Sequence, residues 1–599
     1  MVSFNMSTIA PFAKLTALLT FIASIPFASA TFSVARCCTL AVRTEFQKYY
    51  AEHFPWEVCN LNKEIDYSTN ETFPSIMKPM SWAKQFCRGT QYSNLRQWLQ
   101  PLAAYISPYI GLLLLCPIGE EDPDKNAQST PLGGSLLPAL KVGMEYLSIL
   151  GDPASAVFGA ATEVYSDTAA LYSISSLPPK IRSARWVAAL AGALKFSSKT
   201  DWRSVADPEP NHVAPESSRP EAKGGETTTR TDEVNISPFR HGGNTAPNDD
   251  ADMKTTTTED EKEREKEEET TRAITLCIVA RTPFASAILI PVVLMLAVTA
   301  ATFYDAYAKK GDKDTGLALA YCVWYSWVLV PAVVGNCFAT ALSPEVARRA
   351  FSKVMNFGEG QGVVVALRDR HVNNRFWGNW LRRQEDNGKG LDGFVDEVRK
   401  DVRFWVLFGA GQLMGWCCVA VATGAATAIA WMTPTVGLGC RSFNFILYGI
   451  LALMNAILHV VCSWFSLRSG GGRDESGQGV VGGVVFAKLT LADCVRGFYW
   501  FLVFGNSLVM VLGTLFHMVG VFRTCWCDRL TWNDDTMIEL NSKTAEAVEN
   551  ANSYWISTAY VVFSIMTLVC VLAVVFRQII SRRMDEWMEA EEEKQRRDN

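Results

Sequence analysis

At 599 residues the chain is too long for an ordinary single soluble domain, and a net charge of −5 is too small to draw in nucleic acid. The overall apolar share, 49 %, is that of a globular protein, but it is unevenly spread, with near-continuous apolar stretches alternating with long polar segments. That partition places the chain among integral membrane proteins rather than soluble enzymes.

Residues 1–30 carry a single charge, Lys14, ahead of the apolar run Leu15–Phe27 and the small-x-small site Ala28-Ser29-Ala30. This is the pattern of a cleaved secretory signal, favoured here over an uncleaved anchor. Residues 31–100 then read as a small extracellular domain, dense in aromatics and cysteines, with a short amphipathic helix over Phe46–Phe54. Its core is small, so disulfides among Cys37, Cys38, Cys59 and Cys87 are expected to contribute much of its stability, with three pairings open. Asn70-Glu71-Thr72 is a glycosylation acceptor on the correct side.

Seven apolar stretches follow: Leu102–Ile118, Pro283–Tyr304, Leu317–Ala341, Phe404–Met432, Phe443–Phe465, Phe498–Val521 and Tyr554–Phe576. A bilayer core takes about 20 apolar residues, so the first is near the lower limit and the others are long enough. The expected fold class is all-α, a seven-span helical membrane bundle with a disulfide-bonded extracellular N-terminal domain. Seven crossings put the C-terminal tail, 577–599, in the cytoplasm. The positive-inside rule agrees, with Arg348, Arg349, Lys353, Arg382 and Arg383 after span three and Arg577, Arg582 and Arg583 after span seven. Lys309, Lys310 and Lys313, in an outer loop, run against it.

Residues 119–282 read as a cytoplasmic insert, within which Lys141, Glu145, Glu163 and Asp167 argue against another crossing of Leu137–Leu177. About 199–271 lacks the apolar content for a core and reads as disordered, and cytosolic protein partners are expected to bind this insert. The loops 342–403 and 466–497 are cytoplasmic and 522–553 is extracellular. Gly477–Val484 in the second of these loops imitates a kinase glycine-rich loop, but the loop leaves no room for a nucleotide-binding lobe, so a linker is the favoured reading.

Little in the spans carries chemistry. Only His459 and His517 ionise within them, at depths about 15–20 Å apart, which excludes a direct pair. No Asp, Glu, Lys or Arg lies deep in any of the seven stretches, which counts against a proton-coupled pump. Gly411 and Gly415 form a small-xxx-small pair suited to close helix packing, within the bundle rather than between copies. Asn336, Gln412, Asn455 and Asn506 are expected to bond between helices or to line a cavity.

Cys440, Cys525 and Cys527 lie in outer loops, where disulfides form; Cys-Trp-Cys at 525–527 has no companion pair for a metal. Cys440 is expected to pair with Cys525 or Cys527, with Cys322 as the alternative. A Cys322–Cys440 bridge, seven spans and an outer N-terminus resemble rhodopsin-like receptors. The resemblance stops there, because span three is followed by Phe338-Ala339-Thr340-Ala341 and span seven has no Asn-Pro-x-x-Tyr. Ser81–Cys87, Ile106–Gly111, Cys116–Gly119 and Tyr321–Trp327 resemble segments of uncharacterised multi-pass proteins of filamentous fungi, a resemblance that implies no activity. The expected function is non-enzymatic, without cofactor or metal, in the plasma membrane. A receptor-like sensor leads, a channel or transporter of a neutral or lipid-like solute is the alternative, and a scaffold for cytosolic partners is the third reading.

Overall fold

A computed structural model describes residues 34–46, 59, 69, 71–87, 92–93, 99, 101–116, 136–174, 288–336, 402–469 and 491–598. The expected signal peptide, Asn70, the disordered stretch at 199–271, the loop at 342–401 and the glycine-rich segment at 477–484 lie outside them. The chain divides into two compact units. The first comprises 1–168, 281–341 and 369–583, and the second 169–280, 342–368 and 584–599. The described residues of the second, 169–174 and 584–598, are helical.

Among the described residues, six helices are long and apolar enough to cross a membrane. They are α6 (Ile290–Ala308), the α7–α8 pair (Lys313–Trp324 and Leu329–Val334, joined by a 3-10 turn over Tyr325–Val328), α9 (Val402–Trp431), α10 (Cys440–Ser469), α11 (Leu491–Val519) and α14 (Ser557–Asp598). Their outward faces carry exposed Leu294, Leu407, Val421, Ile457, Phe501 and Leu572, a surface that water would disfavour and lipid accepts. Lys313–Val334 is the most enclosed, 78 % buried against 22–50 % for the others. The helices α9 and α10, α10 and α11, and α7 and α9 pack side by side.

The stretch Leu102–Ile118 is shorter in the structure than a span. A π-helical turn over Leu102–Ile106 runs into α3 (Ser107–Leu115), which packs beside α6. Tyr109 Oη donates to the Cys322 carbonyl at 2.8 Å, and Asn336 Nδ2 to the Leu115 carbonyl at 2.7 Å.

The largest difference from the expected layout is at α4 (Leu136–Gly151) and α5 (Pro153–Ile174), read from sequence as part of an insert. Leu147 and Gly151 of α4 sit on Ser507 and Val503 of α11, so these two helices run antiparallel. Ala154 and Phe158 of α5 sit on Gly415 and Gly411 of α9, again antiparallel. The pair is thus one interrupted helix threading the bundle, and its charges, read as barriers to burial, flank an enclosed middle.

At the other end of the bundle, α1 (Val34–Phe46), β1 (Met77–Pro79) and α2 (Met80–Phe86) gather beside the loop after α11. That loop holds α12 (Cys525–Asp528), β2 (Met537–Glu539) and α13 (Ala545–Asn550), followed by a π-helical turn over Ala551–Ile556 that leads into α14. β1 pairs antiparallel with β2, Met77 opposite Glu539 and Pro79 opposite Met537. The buried Glu539 carboxylate is satisfied locally, accepting from the Ile76 and Asn541 amides at 2.9 and 3.0 Å and from the Ser75 hydroxyl. Cys37–Cys87, Cys38–Cys59 and Cys440–Cys527 are disulfides, with Cα atoms 5.6, 5.5 and 4.7 Å apart. The N-terminal cysteines share one apolar cluster with Ile76, Met80, Cys525, Ile538 and Leu540, so the loop completes the core of this region.

Cys525 remains a free thiol. Burial, followed by the nearby Asp528 charge, pushes it up to about 12. It is therefore a protonated thiol at neutral pH, and its favourable contribution is complete below the ordinary thiol range and is lost as pH rises towards about 12. In folded protein at pH 8, iodoacetamide should leave Cys525 unmodified while denaturant exposes it to full labelling. Rapid labelling before unfolding would contradict this placement.

Candidate functional site

The interruption between α4 and α5 creates a polar cluster inside the bundle. Pro153 has no amide hydrogen, so the α4 ladder cannot continue through it. Asp152 then caps α5, with Oδ1 accepting from the Ser155 amide at 3.2 Å. Because that amide is diverted to the cap, the Gly151 carbonyl takes bonds from side chains instead: Asn455 Nδ2 at 2.7 Å and Asn506 Nδ2 at 2.9 Å. The neighbouring Leu150 carbonyl accepts from Tyr448 Oη at 2.8 Å. Two helices, α10 and α11, thereby satisfy a kink that would otherwise strand peptide groups in an apolar interior.

Asp152 is fully buried. Its Oδ2 accepts from Tyr499 Oη and Ser155 Oγ, each at 2.6 Å, and lies 3.1 Å from His459 Nδ1. Ser155 Oγ also lies 2.7 Å from His459 Nδ1 and 3.0 Å from Gln412 Oε1. The geometry is satisfied when Nδ1 carries the imidazole proton, since a bare nitrogen would face the carboxylate acceptor to acceptor. The positive end of α5 further favours charge on Asp152. Around this core Gln412 Nε2, Asn455 Oδ1 and Asn506 Oδ1 are buried without a hydrogen-bond partner among the described residues. The cluster thus has spare capacity of both signs for water or a small polar molecule.

Aromatic rings wall the cluster off. Phe408 packs edge-on to His459 at 5.8 Å and to Phe158 at 5.7 Å, and Trp405 packs against Trp464 beyond them. Towards the disulfide end a second set runs from Tyr448 through Trp324 and Phe445 to Tyr321, whose ring stacks on His517 at 4.1 Å.

Sequence reasoning placed the two histidines at different depths, and they do lie in separate clusters. It missed Asp152 as the partner of His459, because the carboxylate lay in a segment assigned outside the bundle. A usable signal was present: Gly151-Asp152-Pro153, a cap residue followed by proline at the first helical position, sits between two apolar helix-length stretches. Gln412, Asn455 and Asn506 gather here, whereas Asn336 bonds α3. Gly411 and Gly415 face α5 within the bundle. Cys440 joins Cys527, and Cys322 is a buried thiol beside Thr299 Oγ1, so the receptor-like Cys322–Cys440 bridge is not formed. The sulfurs of Cys37, Cys87 and Cys525 lie within 4.8 Å of one another, but Cys37 and Cys87 are bonded together and offer no thiolate to a metal.

The fold and this cluster define a multi-pass helical bundle with an ionisable centre at a broken helix. No protein-family model, curated protein or solved structure matches the chain.

Proposed function

We propose that the chain is an integral membrane transport protein that moves protons, alone or with a small polar solute, through the Asp152 cluster. The observation that carries this reading is the buried Asp152–His459 contact at a helix break. Ionisable groups are costly inside a membrane bundle and mark ion paths there, and broken helices build the midplane sites of many carriers. A proton taken up by Asp152 weakens its hold on His459 and Tyr499 and frees the kink between α4 and α5 to shift. In this reading the disulfide end is extracellular.

The test is reconstitution into liposomes that enclose a pH-sensitive dye, with a potassium gradient and valinomycin as the driving force. Wild-type protein should acidify the lumen faster than protein-free liposomes, and Asp152→Asn should fall to the protein-free rate. Wild-type liposomes no leakier than empty ones would defeat the reading.

One observation favours a receptor-like sensor instead. The N-terminal cluster packs on the loop that Cys440–Cys527 fastens to α10, so a ligand bound outside would act directly on two bundle helices. Ligand binding without proton movement would select it.

A further inference from the structure

At the disulfide end of the bundle, in the first turn of α10, Arg441 is only 5 % exposed and its Nε has no hydrogen-bond partner among the described residues. This is a poor place for a cation, because the N-terminal end of a 30-residue helix is itself positive. The acids within electrostatic reach, Asp528 and Asp314, are already engaged. Lys313 is paired with Asp528, and Arg523 Nε lies 3.5 Å from Asp314. Arg523 is itself nearly buried, with Nε and Nη1 lacking hydrogen-bond acceptors. One turn deeper on α10, the Asn444 amide sits against Gly513 of α11, and its Nδ2 also has no acceptor. The atoms of these three side chains left unsatisfied among the described residues are all donors.

We infer that Arg441, Arg523 and Asn444 form a binding site for a small oxyanion, a carboxylate or phosphate group, at the disulfide end of the bundle. A buried guanidinium whose nearest acids are paired with other cations is disfavoured, and an oxyanion supplies both the charge and the planar pair of acceptors that its fork matches. The α10 N-terminus adds its own attraction for the anion. This site is separate from the Asp152 cluster: His459 is 18 residues further along α10, about 27 Å at 1.5 Å per residue.

The test uses the full chain in phosphatidylcholine nanodiscs, with thermal midpoint followed at constant ionic strength. Inorganic phosphate or acetate should raise the midpoint saturably, with chloride as the control. In a second arm, phosphatidylglycerol replaces part of the phosphatidylcholine with no free oxyanion added. A shift confined to this arm assigns the phosphate to a lipid headgroup and supports the same chemistry. Arg441→Gln should abolish the shift. If that variant does not fold, Arg441→Lys should weaken it about tenfold, the worth of one charged hydrogen bond. No shift in either arm, or an undiminished shift in the folded variant, overturns the assignment.

Discussion

Asp152→Ala should be among the most damaging single substitutions in the chain. It removes the acceptor shared by Tyr499, Ser155 and His459 and the cap of α5 together. Breaking one side of a buried charged contact costs about 3–5 kcal/mol, and losing a cap about 1 kcal/mol. Asp152→Asn keeps an oxygen for Tyr499 and Ser155, so it should retain a folded bundle at a smaller loss. Detergent-solubilised protein followed by fluorescence size-exclusion after heating separates the two. An alanine variant as heat-resistant as wild type would show that the cluster does not hold α4 and α5 in place.

The glycines of the interrupted helix and its partners should divide sharply. A Cβ on Gly415 would run into the Ala154 carbonyl, and one on Gly151 into the Val503 carbonyl. Backbone cannot step aside as a side chain can, so Gly415→Ala and Gly151→Ala should each cost at least about 1–3 kcal/mol, the usual range for overpacking. The atoms nearest a Cβ on Gly411 belong to the Phe158 ring, which can turn, so Gly411→Ala should cost less. Gly409 and Gly424 face open space, and alanine there should stabilise α9 by about 0.5–1 kcal/mol through backbone entropy. Thermal midpoints of the five variants test this order. Equal losses at Gly415 and Gly409 would mean that α5 does not lie against α9.

The long apolar runs made six helices legible, with Phe404–Met432 answering to Val402–Trp431 and Phe443–Phe465 to Cys440–Ser469. Hydropathy measures contact with lipid, and these helices turn much of their surface outward. The pair α4–α5 fails that measure because its middle faces other helices: Asp152 and Ser155 are matched by His459, Tyr499 and Gln412 rather than excluded. The site was therefore half legible. His459 stood out as an ionisable group in an apolar run, while its partner, some 300 residues earlier, looked like an ordinary turn. Cys322, near the expected outer end of a span, invited a bridge, but its thiol is turned towards Thr299 inside the bundle.

The pairing of β1 with β2 has a consequence for how the protein is made. Ile76 waits for Glu539, 463 residues later, and the N-terminal cysteine cluster waits for Cys525, Ile538 and Leu540. At about 5–20 residues per second, roughly 20–90 s pass between synthesis of the first and last parts of that core. Throughout that interval the first cysteines have emerged without the apolar cover that later buries them. Early oxidation must then proceed on an open surface, and the finished cap is a checkpoint that closes only after nearly every bundle helix has been made.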